Sequence, residues 1–150
     1  MKIIPYGTTT NEEISKLETE LNTPIPQDYK NFLLNHNGGT PEIRYAEFYV
    51  EDLDESIYLQ VLYGIGIKDL DISEWSNMWP SDLLPHSIII GHIMGNGFIL
   101  LVNDGENNGI YYYDHAYTFP QSSDEENTYF IASTFTEFID SLKEASEDED

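Results

Sequence analysis

Few of the side chains that could do chemistry stand at a spacing that supports it. The four histidines fall on different predicted elements, and no two have the spacing of a helical zinc site: His36, His86, His92 and His115. No serine lies in the Gly-x-Ser-x-Gly context of a hydrolase nucleophile. The chain has no cysteine, which excludes disulfides and thiolate-bound zinc. We therefore expect a protein that is not an enzyme, with no catalytic residue, no cofactor and no metal.

One stretch, DGENNGIYYYDH, partly matches a calcium-binding EF-hand loop. Asp104, Glu106, Asn108 and Gly109 occupy the first, third, fifth and sixth positions of that loop. His115 stands at the twelfth position, where the loop needs a bidentate glutamate, and strand-like IYYY follows the glycine instead of a helix. A plain polar turn is the favoured interpretation. A weak divalent-cation site at this turn is the alternative.

Carboxylates dominate the composition. The 150 residues include 28 Asp and Glu against 6 Lys and Arg, a net charge of -22. Such a surface repels nucleic acid and anionic membranes, because binding to either needs positive charge. It attracts a basic partner and speeds the encounter by long-range steering. The alternative is that the acidity only keeps the protein soluble.

Neither end of the chain resembles a membrane segment. The N-terminal MKIIPYGTTTNEE has no long apolar core, and no apolar run approaches the roughly 20 residues that span a bilayer. We expect a soluble, cytoplasmic protein. At the other end, EASEDED (144–150) is a block of like charge. It predicts an acidic disordered tail after a single domain of residues 1–143.

The segment PIPQDYKNFLLNHNGG has the pattern of a helix with clear boundaries. Apolar residues recur at helical spacing and predict one buried face: Ile25, Tyr29, Phe32 and Leu33. Proline is tolerated at a helix start, and Asp28 in the first turn suits the positive end of the dipole. Asn37 and Gly38 can take the positive φ that closes the last turn. We therefore interpret Pro24–Gly39 as a core helix without a catalytic role.

Two further helices begin with a capping signal. Thr10 and Glu13 form a capping box for a first helix, and Thr134 and Glu137 form another for a last helix. Helical spacing predicts their buried faces: Ile14, Leu17 and Leu21 in the first, and Phe135, Phe138, Ile139 and Leu142 in the last. A short irregular helix carrying Trp75 and Trp79 is predicted for Asp69–Trp79.

The segments between these helices have strand patterns. IRYAEFYV alternates, with Ala46, Phe48 and Val50 on a buried face and Tyr45, Glu47 and Tyr49 on the other. Five more strands are predicted: IYLQVLY, SIIIGHI, FILLVN, IYYYDH and TYFIAS. The unbroken apolar run FILLV indicates a central strand, and MGNGF before it is predicted to be a hairpin turn rather than a phosphate loop.

Helices at both ends and strands between them predict the α+β class. We expect a single domain with a mostly antiparallel twisted sheet of about five to six strands. The N-terminal helix pair and the C-terminal helix are expected to pack on this sheet.

The order of these segments resembles the SUKH superfamily, the bacterial and viral relatives of a fungal regulator of cell-wall synthesis. In PIPQDYKNFLLNHNGG the matching positions are Pro26, Tyr29, Phe32, Leu33, Asn37 and Gly38. LLPHSIIIGHIMGNGFILLV resembles the family's Leu-Pro element followed by a strand, a glycine turn and another strand. IYYYDH and ASTFTEFIDSL resemble the next strand and the closing helix. The resemblance spans most of the chain, from Ile14 to Leu142, and its length and acidity resemble a small Bacillus-type member.

This resemblance implies a binding protein. Bacterial members are commonly immunity proteins, which neutralise a toxin made by the same or a neighbouring cell, and many such toxins are nucleases. We therefore expect an antitoxin whose partner is a cognate toxin, basic and nuclease-like, with no direct binding to nucleic acid or membranes. The alternative is an acidic regulatory scaffold that holds several cellular partners, as in the fungal relative.

The candidate contact residues are tyrosines and carboxylates on and after the first predicted strand. Tyrosine is enriched at binding hot spots because its ring combines contact area with a polar handle. The candidates are Tyr45, Glu47 and Tyr49 on the outward face, and Glu51, Asp52, Asp54 and Glu55 in the following loop. The alternative is that the two tyrosines cover the sheet beneath another element.

Overall fold

The computed structural model describes residues 2–78, 85–116, 118–120, 122 and 127–145. Within them the helices are α1 Asn11–Leu21, α2 Gln27–Asn35, α3 Ile72–Met78 and α4 Phe135–Ser141, with a 3-10 turn at Glu51–Leu53. The strands are β1 Ile3–Pro5, β2 Gly39–Pro41, β3 Ala46–Val50, β4 Glu55–Leu62, β5 Ser87–Ile93, β6 Phe98–Val102, β7 Gly109–Tyr113, β8 Thr128–Ala132 and β9 Lys143–Glu144. Trp79 of the predicted third helix lies outside the described residues.

The described strands join one antiparallel sheet. Its order is β1-β2-β4-β5-β6-β7-β8, while β3 pairs with β4 and carries β9 on its other side. The α+β class is therefore confirmed, but the count of five to six strands is wrong, because the sheet has nine described strands. The six predicted strands correspond to β3 through β8. Strands β1, β2 and β9 have only two or three residues, which is too short to show an alternating pattern.

Both faces of the sheet are covered at its centre. All five residues of β6 are buried, which confirms the central position predicted from FILLV. On one face, Phe138 of α4 packs edge-on against Phe48 of β3, with ring centroids 5.3 Å apart. On the opposite face, Trp75 of α3 lies 5.4 Å from Phe98 of β6 and stacks on Tyr63 just after β4. The core therefore has two layers, one on each side of the sheet.

Two threonines cap their helices as predicted. The hydroxyl of Thr10 accepts a hydrogen bond from the N–H of Glu13 at 3.2 Å, and Thr134 accepts from the N–H of Glu137 at 3.0 Å. Each bond satisfies one of the first N–H groups of its helix, which have no partner within the helix.

The second helix is shorter than predicted. It covers Gln27–Asn35 rather than Pro24–Gly39, because Gly39 leaves the helix and pairs as part of β2. The positive φ values predicted at its end are confirmed, at 48° for Asn37 and 86° for Gly38. The buried side chain of Asn37 then reaches the segment after β4. Its carboxamide accepts from the N–H of Ile65 at 2.8 Å and donates to the carbonyl of Ile65 at 3.0 Å.

Residues 143–145, near the C-terminal end, add to the sheet beside β3. Glu144, the first residue of the predicted tail, pairs with Ala46 in β3, and the N–H of Ala145 donates to the carbonyl of Tyr45. Residues 146–150 lie outside the described residues. Among the described residues, no helix is both long and apolar enough to cross a membrane.

A buried carboxylate organises the segment after β7. Asp114 accepts hydrogen bonds from the N–H groups of Thr118 and Phe119 at 2.9 and 3.0 Å, and from the hydroxyl of Ser122 at 2.6 Å. Burial by itself would raise the pKa of Asp114, but the hydrogen bonds from Ser122, Phe119 and Thr118 outweigh it and lower this pKa below its ordinary value. The ionised form of Asp114 is therefore the one that stabilises the fold.

We expect the Gly38→Ala variant to lose more stability than Gly66→Ala. Both glycines have a positive φ, 86° and 74°, so both variants carry the strain of a left-handed alanine. A Cβ at Gly38 would also lie 2.7 Å from the carbonyl oxygen of Leu62, whereas nothing lies within 4 Å of a Cβ at Gly66. The Gly66 variant should cost about 1 kcal/mol of the free energy of unfolding, and the Gly38 variant about 3 kcal/mol. Urea denaturation measures both, and equal losses would contradict the close approach at Gly38.

A second prediction concerns Asp114→Asn, with Asp140→Asn on the exposed face of α4 as the matched control. Asparagine would place its own NH2 donor against the groups that donate hydrogen bonds to Asp114, and at least one of those bonds would be lost. The free energy of unfolding at pH 7 should therefore fall by about 2 kcal/mol. The folded pKa of Asp114 is lowered, so its contribution is present above the unfolded value of about 3.9 and is lost as the pH falls below it. The difference between this variant and wild type should therefore shrink below about pH 4 in urea titrations. A difference that grows on acidification, or an equal loss in the control, would contradict the assignment.

Candidate partner-binding surface

Strand β3 shows the predicted alternation, with one exception. Ala46, Phe48 and Val50 are buried, which confirms their face. On the other face, Tyr45 and Tyr49 are 43% and 52% exposed, but Glu47 between them is only 1% exposed. The expectation of an outward, solvent-facing Glu47 is therefore wrong. The physical reason is β9, which pairs with β3 and places Lys143 directly opposite Glu47.

A third tyrosine belongs to this face and was not among the predicted contact residues. Tyr58 of β4 is the register partner of Glu47, and its ring lies 5.6 Å from that of Tyr45. The signal was present in the alternation of β4, where Ile57 and Leu59 take the buried face and Tyr58 must take the other. We call Tyr45, Tyr49 and Tyr58 the tyrosine face.

Four carboxylates cluster where β3 turns into β4. Glu51, Asp52, Asp54 and Glu55 are all exposed, and we call them the acidic corner. Leu53 in their midst is buried and anchors the turn to the core. Asp54 has a φ of 51°, which lets the chain reverse directly into β4. The structure therefore brings the four predicted loop residues together at one exposed corner, with Glu55 as the first residue of β4 instead of a loop residue.

The acidic corner and the tyrosine face touch. The hydroxyl of Tyr49 donates to a carboxylate oxygen of Asp54 at 2.5 Å. This hydrogen bond to Asp54 is the main cause that raises the pKa of Tyr49 above its ordinary value. The bond joins the two groups of residues into one continuous surface.

This surface carries little compensating positive charge. In the part of the chain that the structure describes, three ion pairs form: Lys16–Glu13, Lys30–Glu18 and Lys143–Glu47. None of them involves the acidic corner. Arg44 lies at the margin of the surface, with its guanidinium carbon 5.2 Å from the centre of the Tyr45 ring. The corner's carboxylates therefore face solvent without a cationic partner among the described residues.

The turn after β6 is closed by its own side chains. Asp104 accepts hydrogen bonds from the N–H groups of Glu106 and Asn107 at 2.9 and 2.6 Å. The bonds from Asn107 and Glu106 lower the pKa of Asp104. Asn108, another residue of the EF-hand comparison, accepts from the N–H of Gly105. The structure thus shows the polar turn that the sequence favoured, and no group of three or more His, Asp or Glu within the described ranges is placed to hold a metal ion.

The histidines are distributed over the fold as the sequence indicated. The Nδ1 atom of His92 lies 2.6 Å from the hydroxyl of Tyr63, and burial lowers the pKa of His92. The Nδ1 atom of His86 lies 2.7 Å from the carbonyl oxygen of Asn22. Each of these two rings therefore binds a different neighbour within the fold.

A cleft of about 320 Å³ lies between the starts of α2 and α4, the end of β6 and the start of β7. Asp28 is the titratable residue among those that line it. One oxygen of Asp28 accepts from the N–H of Tyr29, and the other accepts from the N–H and hydroxyl of Thr136. The carboxylate therefore joins the two helices, and the described residues that line the cleft include no second titratable group to form an acid–base pair with it.

These features define an acidic α+β domain, and its family follows from the sequence match. The chain belongs to the SMI1 / KNR4 family (SUKH-1), whose model matches residues 8–141. The matched range contains α1 through α4 and strands β2 through β8. The family is known for immunity-protein-like roles and is not known for enzymatic activity.

A curated relative extends this comparison. The chain is similar to the SPbeta prophage-derived uncharacterized protein YokK of Bacillus subtilis (strain 168). The two are 26% identical over an alignment 152 positions long, which covers 89% of this chain and 74% of the relative. The similarity therefore extends over most of both proteins.

Proposed function

We propose that this protein is an immunity protein that binds a cognate toxin in the cytoplasm and occludes it. The observation that carries the proposal is the acidic corner joined to the tyrosine face, with no Lys or Arg at ion-pair distance from the corner in the described part of the chain. Exposed rings beside uncompensated carboxylates suit a basic protein partner. Membership in the SMI1 / KNR4 family supports this role.

A nuclease-type toxin domain fits the charge of this surface. Such a domain holds the phosphates of its substrate with Lys and Arg. Four carboxylates within residues 51–55 offer a partner a row of negative charge like that of a nucleic-acid backbone. We propose that the corner occupies the basic surface of the toxin and thereby keeps nucleic acid from it.

The net charge of -22 adds a kinetic advantage. Long-range attraction raises the association rate of oppositely charged proteins, and salt reduces this effect because it screens charges beyond about 10 Å at 0.1 M. An immunity protein benefits because it must capture the toxin before the toxin acts.

The test compares two variants with the same change in charge. The corner variant carries Glu51→Gln, Asp52→Asn, Asp54→Asn and Glu55→Gln, and asparagine suits the left-handed backbone at position 54. The control carries Glu12→Gln, Glu74→Gln, Glu106→Gln and Asp140→Asn, which are exposed residues elsewhere. The toxin domain for the test is the C-terminal domain of any toxin-like protein that a neighbouring gene is found to encode. Each chain is co-expressed with that domain, and host growth and complex formation are measured. The corner variant should lose protection, with an association rate lowered at least about tenfold, whereas the control should still protect.

Four results would count against the proposal. Equal protection by both variants would mean that the acidic corner has no special role, and an equal loss in both would mean that net charge matters but its position at the corner does not. A wild-type chain that neither rescues growth nor forms a complex, with a toxin domain that kills alone, would reject this pairing. Weak binding to several cellular proteins in place of one tight complex would favour the acidic regulatory scaffold.

A further inference from the structure

Glu47 is a buried carboxylate with an incomplete set of partners. Its side chain is 2% exposed, and its Oε1 lies 3.4 Å from Nζ of Lys143. Its Oε2 is buried and has no hydrogen-bond partner among the described residues. A buried carboxylate oxygen without a donor is unfavourable, so this site has an unused capacity to bind a cation.

The partner that Glu47 has within the chain is weakly held. The Lys143 side chain is 71% exposed, and it belongs to a strand of two residues. An ammonium group in that environment is well solvated and contributes little to a surface ion pair. Lys143 can therefore leave Glu47 when a better donor arrives, and its departure frees the Oε1 atom as well.

The surroundings of Glu47 match a guanidinium group. Tyr45 and Tyr49 are its neighbours on the same face of β3, and Tyr58 is opposite on β4. A guanidinium donates two parallel N–H groups to both oxygens of a carboxylate and stacks on aromatic rings, whereas an ammonium does neither as well. The chain's own Arg44 already places its guanidinium over the ring of Tyr45.

We propose that Glu47 is the central anchor of the partner-binding surface and takes an arginine side chain of the partner, displacing Lys143. This inference rests on the proposed function, since the partner is the basic protein proposed above. The guanidinium of this arginine donates a hydrogen bond to Oε2, which has no other partner among the described residues, and lies among the rings of the tyrosine face. The acidic corner then supplies steering, and Glu47 supplies the contact that slows dissociation.

Dissociation rates of the complex with the toxin domain test this division. Glu47→Gln should dissociate at least about 30-fold faster, because a buried charge pair is lost. Lys143→Gln should dissociate several-fold more slowly, because the internal competitor is gone. The matched control is Lys16→Gln, since Lys16 is also exposed and also lies 3.4 Å from a glutamate oxygen. It should change the association rate alone. Thermal unfolding of each variant shows whether the fold is kept.

An unchanged dissociation rate for Glu47→Gln, or the same rate for the two lysine variants, would overturn the role of Glu47 and leave the proposed function standing.

A second measurement does not need the toxin. N-acetyl-arginine methylamide and N-acetyl-lysine methylamide are titrated into the full chain carrying 13C-labelled glutamate. The arginine compound should shift the Glu47 carboxyl resonance, and more in Lys143→Gln than in wild type. If the toxin domain does not bind, the proposed function fails. An unmoved Glu47 resonance, or an equal shift with lysine, would then overturn this inference separately.

Discussion

The arrangement of helices and sheet depends on the hydrogen bonds that the Asn37 carboxamide forms with the backbone of Ile65. These two bonds measure 2.8 and 3.0 Å, and the backbone of Asn37 ends α2 in a left-handed conformation. Gly38 and Gly64 allow this contact because a Cβ on either would collide with backbone atoms of the other segment. One residue thus ends a helix through its backbone and attaches it, through its side chain, to the segment after β4. Few other residues could do both, since asparagine tolerates a positive φ and carries both a donor and an acceptor.

Strand β4 transmits this constraint to the binding surface. Its last residue, Leu62, pairs with β2 and with β5, while its first half, Glu55 to Leu59, pairs with β3. The end of β4 near Asn37 is therefore tied to the helices, and the other end carries the acidic corner and Tyr58. A surface mounted on a strand that is anchored at its far end keeps its side chains in place before a partner arrives. Such preorganisation reduces the entropy lost on binding.

Sequence patterns predicted the parts of this fold that rest on local physics. The alternation of β3, the capping threonines and the positive φ of Asn37 each follow from residues close together in the chain. Long-range pairing could not be read in this way. The alternation of β3 predicted an outward-facing Glu47. The side chain is buried because β9, which is far away in the sequence, pairs beside β3. The alternation of β4 indicated the face on which Tyr58 lies, but its place beside Tyr45 depends on the register of β3 with β4, which no local pattern specifies.

The folded chain must overcome strong repulsion between its own carboxylates. A net charge of -22 with three ion pairs among the described residues leaves most carboxylates repelling one another, and this repulsion opposes the compact state. A sheet buried on both faces at its centre supplies the opposing hydrophobic stabilisation. Four of the five residues from 51 to 55 nevertheless remain acidic on one turn held by a single buried leucine. Binding of the proposed basic partner would relieve the repulsion at this turn, and a partner that binds only the folded chain would also stabilise the fold by mass action. The concentrated charge at this turn is therefore consistent with the proposed function in a complex.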